Sequence, residues 1–142
     1  MSRIDAEITR PATLDHLPAL LAFLDTKVLA AGLGDDALFP VHLAVEEACA
    51  NVIRHAYPDS PGPLTLRLAI TPESVVVTLS DEAPVFDLAQ VPRPTLAGTV
   101  EERPIGGLGW HFIHALMYDV RHADRPEGGN QLTLVKHRPI DP

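Results

Sequence analysis

The sequence predicts an α+β fold in two layers, in which helices pack on one face of a mixed, mostly antiparallel sheet. Three observations lead to this prediction. Two segments in the amino-terminal half repeat apolar residues at three- and four-residue steps, the spacing of amphipathic helices. Short runs of alternating or β-branched residues, typical of strands, precede and follow these segments. The 142 residues match the size of one domain, so these elements are expected to share a single core over residues 1–142.

The amino-terminal half predicts one strand and two helices. Residues 3–9 alternate between polar and apolar types, which indicates an edge strand. Asp15 is expected to cap a first helix that ends at the Gly-Leu-Gly sequence of residues 32–34. Asp35 or Asp36 is expected to cap the second helix. The buried stripe predicted for this second helix consists of Val41, Val45, Ala48, Val52 and Ala56.

Four more strands and a third helix are predicted in the carboxyl-terminal half. The predicted strands cover residues 64–70, 74–80, 119–123 and 131–137. Residues 71–73 join the first two of these strands by a connection so short that it favours antiparallel pairing. The third helix is predicted over residues 110–118. Residues 82–105 contain four prolines and show no periodicity, and a stretch of that length in a compact domain is typical of a functional lid.

The composition argues against several classes of function. The formal net charge is −8 and no basic stripe offsets it, which disfavours direct binding to nucleic acid. No apolar run approaches the roughly 20 residues of a membrane span, and the amino-terminal sequence MSRIDAEITR lacks the apolar core of a signal peptide. The single cysteine, Cys49, is expected to be a small buried thiol. We therefore expect a cytoplasmic protein without a membrane partner.

Glu47, Asn51 and His55 lie four residues apart on the second predicted helix. Glu47 and Asn51 are about 40° apart around the helix axis, at the edge of the predicted stripe, so they can share a ligand. The side-chain oxygen of an asparagine suits Mg²⁺, and a carboxylate one turn away can act as a general base. The alternative is a solvated helix face, which needs no ligand. Glu46 is turned about 100° away and is not expected to take part.

Two further signals follow along the chain. Asp81 ends a predicted strand, where its carboxylate can accept a hydrogen bond from an adenine amino group or simply initiate a turn. Residues 106–109, Gly-Gly-Leu-Gly, lead into the third predicted helix, where glycines and free amide groups favour phosphate. The lysine of the GxxxxGK[ST] phosphate loop is absent, so these glycines alone are weak evidence.

Taken together and in this order, the three signals resemble the N, G1 and G2 boxes of the GHKL superfamily of ATPases, which includes gyrase, MutL and the histidine kinases. The segments EEACANVIRHAYP, RPIGGLGWHFI and EGGNQLTLVK are similar to those of the anti-sigma factor serine-protein kinases of bacterial stress and sporulation switches. The resemblance covers nearly the whole chain, and its motifs keep the order and spacing of the family.

The resemblance implies a two-layer, left-handed α/β sandwich of the Bergerat ATP-binding type, with an ATP lid at about residues 88–106. It makes Glu47 the catalytic base, Asn51 the ligand of Mg²⁺ and Asp81 the acid that reads adenine. His55 matches a position in the nucleotide pocket, and either Asn130 or Gln131 falls near the adenine-side threonine of the family. The lid hinge, whose amides meet the phosphates, matches Gly107, Leu108 and Gly109.

The activity implied is an ATP-dependent and Mg²⁺-dependent protein serine kinase. Such a protein binds a sigma factor, phosphorylates a serine of an anti-anti-sigma antagonist with a STAS domain, and is expected to form a homodimer. An alternative is a regulatory module that binds ATP or ADP and controls a partner without phosphotransfer. A sensor histidine kinase is less favoured, because no helix with a phospho-accepting histidine precedes the ATPase segment. A metal enzyme built on His111 and His114 is also less favoured, because no zinc motif occurs.

One departure concerns the residues after Asp81. The family pattern there is D-x-G-x-[GP], and this chain has Ala83 and Val85 at the third and fifth positions. If the glycine of the family has a positive φ, Ala83 must be strained or the turn must rearrange. This departure predicts that the hinge near adenine differs from that of the family and that the affinity for nucleotide is lower.

Overall fold

A computed structural model describes residues 3–57, 61–83, 113, 116–117, 119–125 and 128–137 of the chain. Five strands and two α-helices are defined within these residues. Their bounds are β1 Ile4–Pro11, α1 Leu17–Ala30, α2 Asp35–His55, β2 Pro63–Ile70, β3 Ser74–Asp81, β4 Asp119–Asp124 and β5 Asn130–His137. A short 3₁₀ turn, Leu14–His16, precedes α1. Neither described helix combines the length and the apolar content of a membrane span.

The helix caps differ from those predicted. Asp15 lies inside the 3₁₀ turn, so the residue that precedes α1 is His16, which makes no side-chain capping bond. Gly34 precedes α2 with an extended backbone, and Asp35 and Asp36 fall within the first helical turn. The capping predictions were wrong because each helix starts one or two residues away from the predicted position. Both carboxylates of α2 still lie where the positive end of the helix dipole favours them.

The five strands form one sheet in the order β1-β2-β3-β5-β4. All four neighbouring pairs are antiparallel, so the described residues contain the antiparallel part of the predicted sheet and no parallel neighbours. Strands β3 and β4 run in the same direction, but β5 lies between them. After β3 the chain therefore forms β4 two positions away in the sheet. Strand β5 then occupies the position between β3 and β4.

One face of the sheet forms the core with the two helices. Leu66 of β2 lies opposite Leu79 of β3, which lies opposite Leu132 of β5, and all three are nearly or fully buried. Helices α1 and α2 contact each other and cover this face. The two-layer α+β architecture predicted from the sequence is confirmed. The stripe predicted on α2 is also buried throughout, at Val41, Val45, Ala48, Val52 and Ala56.

The third predicted helix lies largely outside the described residues. Ile113 and Leu116 have helical backbone, and the N–H of Met117 bonds to the carbonyl oxygen of Ile113 as in an α-helix. Ile113 is fully buried in the same core. Lys136 of β5 donates a hydrogen bond across 3.1 Å to the carbonyl oxygen of Leu116, which ties this segment to the sheet.

Candidate functional site

Asn51 is fully buried on α2, and neither its Oδ1 nor its Nδ2 has a hydrogen-bond partner in the part of the chain that the structure describes. Residues 48–52 are all buried. Successive helical residues are about 100° apart, so five in a row enclose the whole circumference of the helix. An unpaired buried amide costs about 1–3 kcal/mol. Asn51 therefore does not belong to a solvated helix face, and its amide has the chemistry to bind a polar ligand.

Glu47 and Glu46 lie on different sides of α2, and both are half-buried. Glu47 is one turn before Asn51, the separation at which two side chains share a helix face. The charge of Glu46 instead affects the pKa of the Cys49 thiol. Burial first, and the charge of Glu46 second, raise the pKa of the Cys49 thiol to about 12. A thiol with so high a pKa stays protonated at neutral pH, as expected of a buried cysteine that is not a nucleophile.

Asp81, the last residue of β3, is also buried, and its side chain lies on the core side of the sheet. Its Oδ1 accepts two hydrogen bonds of 3.0 Å, one from the backbone N–H of Ala83 and one from Nδ2 of Asn130. The bond to Ala83 is that of an Asx turn, so Asp81 does initiate a turn. A surface turn does not bury its carboxylate, however. Asp81 thus initiates a turn and also places a carboxylate in the interior of the domain.

Ala83 occupies its turn without strain. In the described residues only glycines have a positive φ, so the backbone of Ala83 is in an ordinary region. Its side chain is buried and joins the hydrophobic core. Of the two outcomes predicted for this departure from the family pattern, the turn has taken a form that an alanine can adopt. The backbone strain expected for an alanine at this hinge is therefore absent.

Tyr57 connects the two elements that carry Asn51 and Asp81. Its hydroxyl donates to the carbonyl oxygen of Pro63 across 2.6 Å and accepts from the N–H of Glu82 across 2.8 Å. Tyr57 follows the end of α2, and Glu82 follows Asp81. Asn51 is one turn, about 6 Å, before the last residue of the helix. The two motif residues therefore lie at the same end of the interface between the helices and the sheet.

The other predicted site residues divide into two groups. His55 is the last residue of α2 and is exposed, with the basic character that suits a helix carboxyl terminus. The predicted lid at about residues 88–106, and His111 and His114, lie outside the described residues. The same is true of the predicted lid hinge, Gly107, Leu108 and Gly109.

No cluster of three or more His, Cys, Asp or Glu side chains that could hold a metal ion occurs in the described segments. A cation near Asn51 would thus take most of its ligands from phosphate oxygens and water. Mg²⁺ commonly binds in this way, with one or two protein ligands. The buried, unpaired oxygen of Asn51 fits that requirement.

The resemblance puts Asn130 or Gln131 near the adenine side of the site without deciding between them, but the contacts of Asn130, Gly129 and Arg125 with Asp81 were not predicted. Asn130 is the first residue of β5, Gly129 precedes it in the turn, and Arg125 donates from its guanidinium to the carbonyl oxygen of Asp81 across 2.9 Å. The segment EGGN contains the signal of a tight turn. Its partner could not be read from the sequence, because the contact depends on the register that sets Asp81 opposite Asn130.

Comparison with known proteins identifies the class to which this fold and these motifs belong. A family model described as "Histidine kinase-like ATPase domain" matches residues 10–136. The chain belongs to the histidine kinase-like ATPase family, as the order of its three motifs predicted.

Curated relatives narrow the resemblance. The chain is 34% identical over 104 residues to the serine/threonine-protein kinase BtrW of Bordetella bronchiseptica, covering 70% of each chain. It is 29% identical over 120 residues to the serine-protein kinase RsbW of Bacillus subtilis, covering 81% of this chain and 75% of RsbW. The resemblance to anti-sigma factor serine-protein kinases is confirmed by these relatives.

Solved structures agree on the fold. The structure of the RsbU and RsbW domains of Rv1364c from Mycobacterium tuberculosis superposes with a TM-score of 0.67 and 20% identity, over 96% of this chain. This chain spans about a third, 33%, of that protein chain. The histidine kinase domain of a blue-light activated kinase from Erythrobacter litoralis superposes with a TM-score of 0.53 and 18% identity. At these identities the likeness concerns the fold alone.

Proposed function

We propose that this chain is an ATP-dependent protein serine kinase that binds a sigma factor and phosphorylates a serine of an anti-anti-sigma antagonist with a STAS domain. Membership of the histidine kinase-like ATPase family and the names of the relatives support the kinase class. The motif residues support the assignment of roles within it. The proposal also includes a homodimer that acts in the cytoplasm.

The observation that carries the proposal is the buried, unpaired amide of Asn51. Folding tolerates such a group where a ligand later satisfies it. Asn51 would supply its Oδ1 as a ligand to Mg²⁺, which when bound neutralises charge on the β- and γ-phosphates of ATP. Asp81 would accept a hydrogen bond from the amino group of adenine at the other side of the site.

Glu47 has the role of the general base. In the proposed reaction the serine Oγ forms a bond to the γ-phosphorus, and the bond between this phosphorus and the bridging oxygen of ADP breaks. The proton of the serine hydroxyl passes to the carboxylate of Glu47. Glu47 is half-buried and lies one turn before Asn51 on the same side of α2. Its carboxylate can therefore accept the proton of a serine hydroxyl that approaches a nucleotide bound at Asn51.

A phosphotransfer assay tests the proposal. The purified chain is incubated with Mg²⁺, γ-labelled ATP and a STAS-domain protein from the same genome, with a second STAS sample in which the target serine is alanine. We expect label on the serine protein and none on the alanine variant. Glu47→Gln is expected to lower the rate at least about a hundredfold while nucleotide binding stays within about twofold.

Glu46→Gln is the matched control, because it removes the same charge from the adjacent residue on another side of α2. It is expected to keep the rate within about threefold. Equal rates for the wild type and Glu47→Gln would remove Glu47 from the reaction. Nucleotide binding by the wild type without any transfer would favour the regulatory module that controls a partner without phosphorylating it.

A further inference from the structure

The first two turns of α2 line a cavity of about 650 Å³. Its described lining residues are Asp35, Asp36, Leu38, Phe39, Pro40 and His42. Cavities that hold a ligand commonly measure roughly 300–1,000 Å³. Phe39 comes 12 residues before Asn51, which is about 18 Å along the helix axis. A ligand in this cavity, called here the Phe39 cavity, therefore leaves the nucleotide motifs free.

The apolar wall of the Phe39 cavity faces away from the core. Val41 is fully buried, and Phe39 is two residues, or about 200°, away from it around the helix. The side chain of Phe39 is accordingly 64% exposed. Single exposed apolar residues are common, but Leu38, Phe39 and Pro40 are consecutive and all three line one cavity. Three consecutive apolar residues that reach the surface of a helix indicate a contact with a partner.

The polar part of the Phe39 cavity consists of hydrogen-bond acceptors. Asp35 and Asp36 are exposed, and neither forms an ion pair within the described residues. Pro40 has no N–H group, so the carbonyl oxygen of Asp36 lacks the donor that a helix normally supplies four residues later. The helix dipole favours both carboxylates but provides no side-chain partner for them.

The cations near this end of the two helices do not neutralise the Phe39 cavity. Its described lining contains no lysine or arginine. The imidazole of His42 is engaged with α1, because its Nδ1 lies 2.7 Å from Oδ1 of Asp25. Lys27, in the last turn of α1, lies over the ring of Phe23, 5.7 Å from the ring centre. The carboxylates of the cavity therefore complement a cationic group of a ligand.

We propose that the Phe39 cavity docks an amphipathic segment of a partner protein, in which an apolar side chain lies within one helical turn of a lysine or arginine. The apolar side chain packs on the ring of Phe39. The cation donates hydrogen bonds to the carboxylates of Asp35 and Asp36 and to the carbonyl oxygen of Asp36. The same negative charge disfavours nucleic acid and anionic lipid at this surface. This inference goes beyond the proposed kinase activity and does not depend on it.

Selection from a library of random peptides tests the proposal on the purified chain, with peptides of about 15 residues, long enough to form a helix. We expect the selected peptides to combine an apolar side chain with Lys or Arg within one helical turn. Fluorescence polarisation of labelled copies then measures their Kd. Phe39→Ser is expected to raise this Kd at least about tenfold. Because Phe39 is exposed, the variant should fold, which circular dichroism checks.

Leu14→Ser is the matched control for the apolar contact. Leu14 is 63% exposed, like Phe39, but it precedes the opposite end of α1. Its replacement is expected to leave the Kd of the selected peptides within about twofold of the wild-type value. Peptides that lose affinity with Leu14→Ser and keep it with Phe39→Ser would overturn the proposal.

The electrostatic contact has its own pair of variants. Asp35→Asn combined with Asp36→Asn is expected to raise the Kd at least about fivefold at low salt and to weaken its dependence on salt. Asp5→Asn combined with Glu7→Gln removes the same charge from β1 and should leave the Kd within about twofold. An equal effect of the two double variants would overturn the proposed role of the cavity carboxylates.

The remaining outcomes also decide the proposal. A selection that enriches no peptide, or only peptides without Lys and Arg, overturns it. Sedimentation of the chain alone shows whether a second copy fills the cavity instead, since self-association that Phe39→Ser abolishes would also overturn the proposal. None of these measurements uses nucleotide, so a failure here leaves the proposed function standing, and a chain without phosphotransfer leaves this inference standing.

Discussion

The hydroxyl of Tyr57 accepts a hydrogen bond from the backbone N–H of Glu82 across 2.8 Å, and this contact joins the end of α2 to the end of β3. The same hydroxyl donates to the carbonyl oxygen of Pro63, the first residue of β2. The ring packs so closely on Gly62 that a Cβ there would overlap it. One side chain therefore fixes the helix that carries Asn51 relative to the strand that carries Asp81.

Tyr57→Phe is expected to lower the free energy of unfolding by about 1–2 kcal/mol, because the N–H of Glu82 and the carbonyl oxygen of Pro63 both lose their partner. Urea denaturation followed by circular dichroism measures the change. The ring itself is kept, so packing on Gly62 is preserved. A variant as stable as the wild type would show that water replaces the hydroxyl at no cost.

Stability should also fall in alkali through Tyr57. Burial is the main cause that raises the pKa of its hydroxyl above the ordinary value of 10.0. The folded state thus favours the neutral form, so this contribution is complete below about pH 10 and is lost as the pH rises through the higher pKa of the folded state. Free energies of unfolding measured from about pH 8 to about pH 11 should decline less steeply in Tyr57→Phe. Parallel curves would contradict the assignment.

Gly129→Ala is expected to destabilise the protein by about 3 kcal/mol or more, through overlap with the carbonyl of Asp81 in addition to its φ of 106°. Gly128→Ala separates the two effects, because Gly128 has a φ of 97° and nothing within 4 Å of its Cβ position. This second change should cost only about 1 kcal/mol. Thermal and urea denaturation compare the pair. Similar losses would mean that backbone conformation, rather than the contact with Asp81, governs Gly129.

Asn51→Leu is expected to leave the free energy of unfolding of the ligand-free protein unchanged or to raise it by about 1–2 kcal/mol, because it removes a buried amide that lacks a partner. Asn130→Leu makes the same change at a buried amide that has one. It should destabilise the protein by about 1–3 kcal/mol, since Asp81 loses its donor. Urea denaturation without nucleotide measures both. A large loss at position 51 would show that the amide is satisfied within the fold.

The sequence was sufficient for the five strands, for the two described α-helices and for the packing of α2. Its apolar period identified the stripe from Val41 to Ala56, because packing against a sheet requires one continuous apolar face. Strands β2 and β3 were predictable from their alternation and their short connection. The caps at Asp15 and Asp35 were not, since a turn of 3₁₀ helix or a glycine can begin a helix as well as a capping side chain.

The candidate site was predictable only in part. Spacing placed Asn51 at the edge of the stripe, but its complete burial depends on other parts of the chain that enclose residues 48–52 of α2. The contact between Asp81 and Asn130 joins residues 49 positions apart and exists only because β5 pairs with β3 rather than with β2. Such a pairing order is a property of the whole sheet, so no local pattern contains it.

The central claim is that the buried amide of Asn51 is a ligand of the Mg²⁺ that binds with ATP. Calorimetry tests this claim most directly, by titrating ATP into the wild type and into Asn51→Ala, each with and without Mg²⁺. We expect Mg²⁺ to tighten binding to the wild type at least about tenfold, or about 1.4 kcal/mol, and to have little effect on the variant. The binding without Mg²⁺ should be similar in both proteins. A variant that retains the full effect of Mg²⁺ would contradict the account.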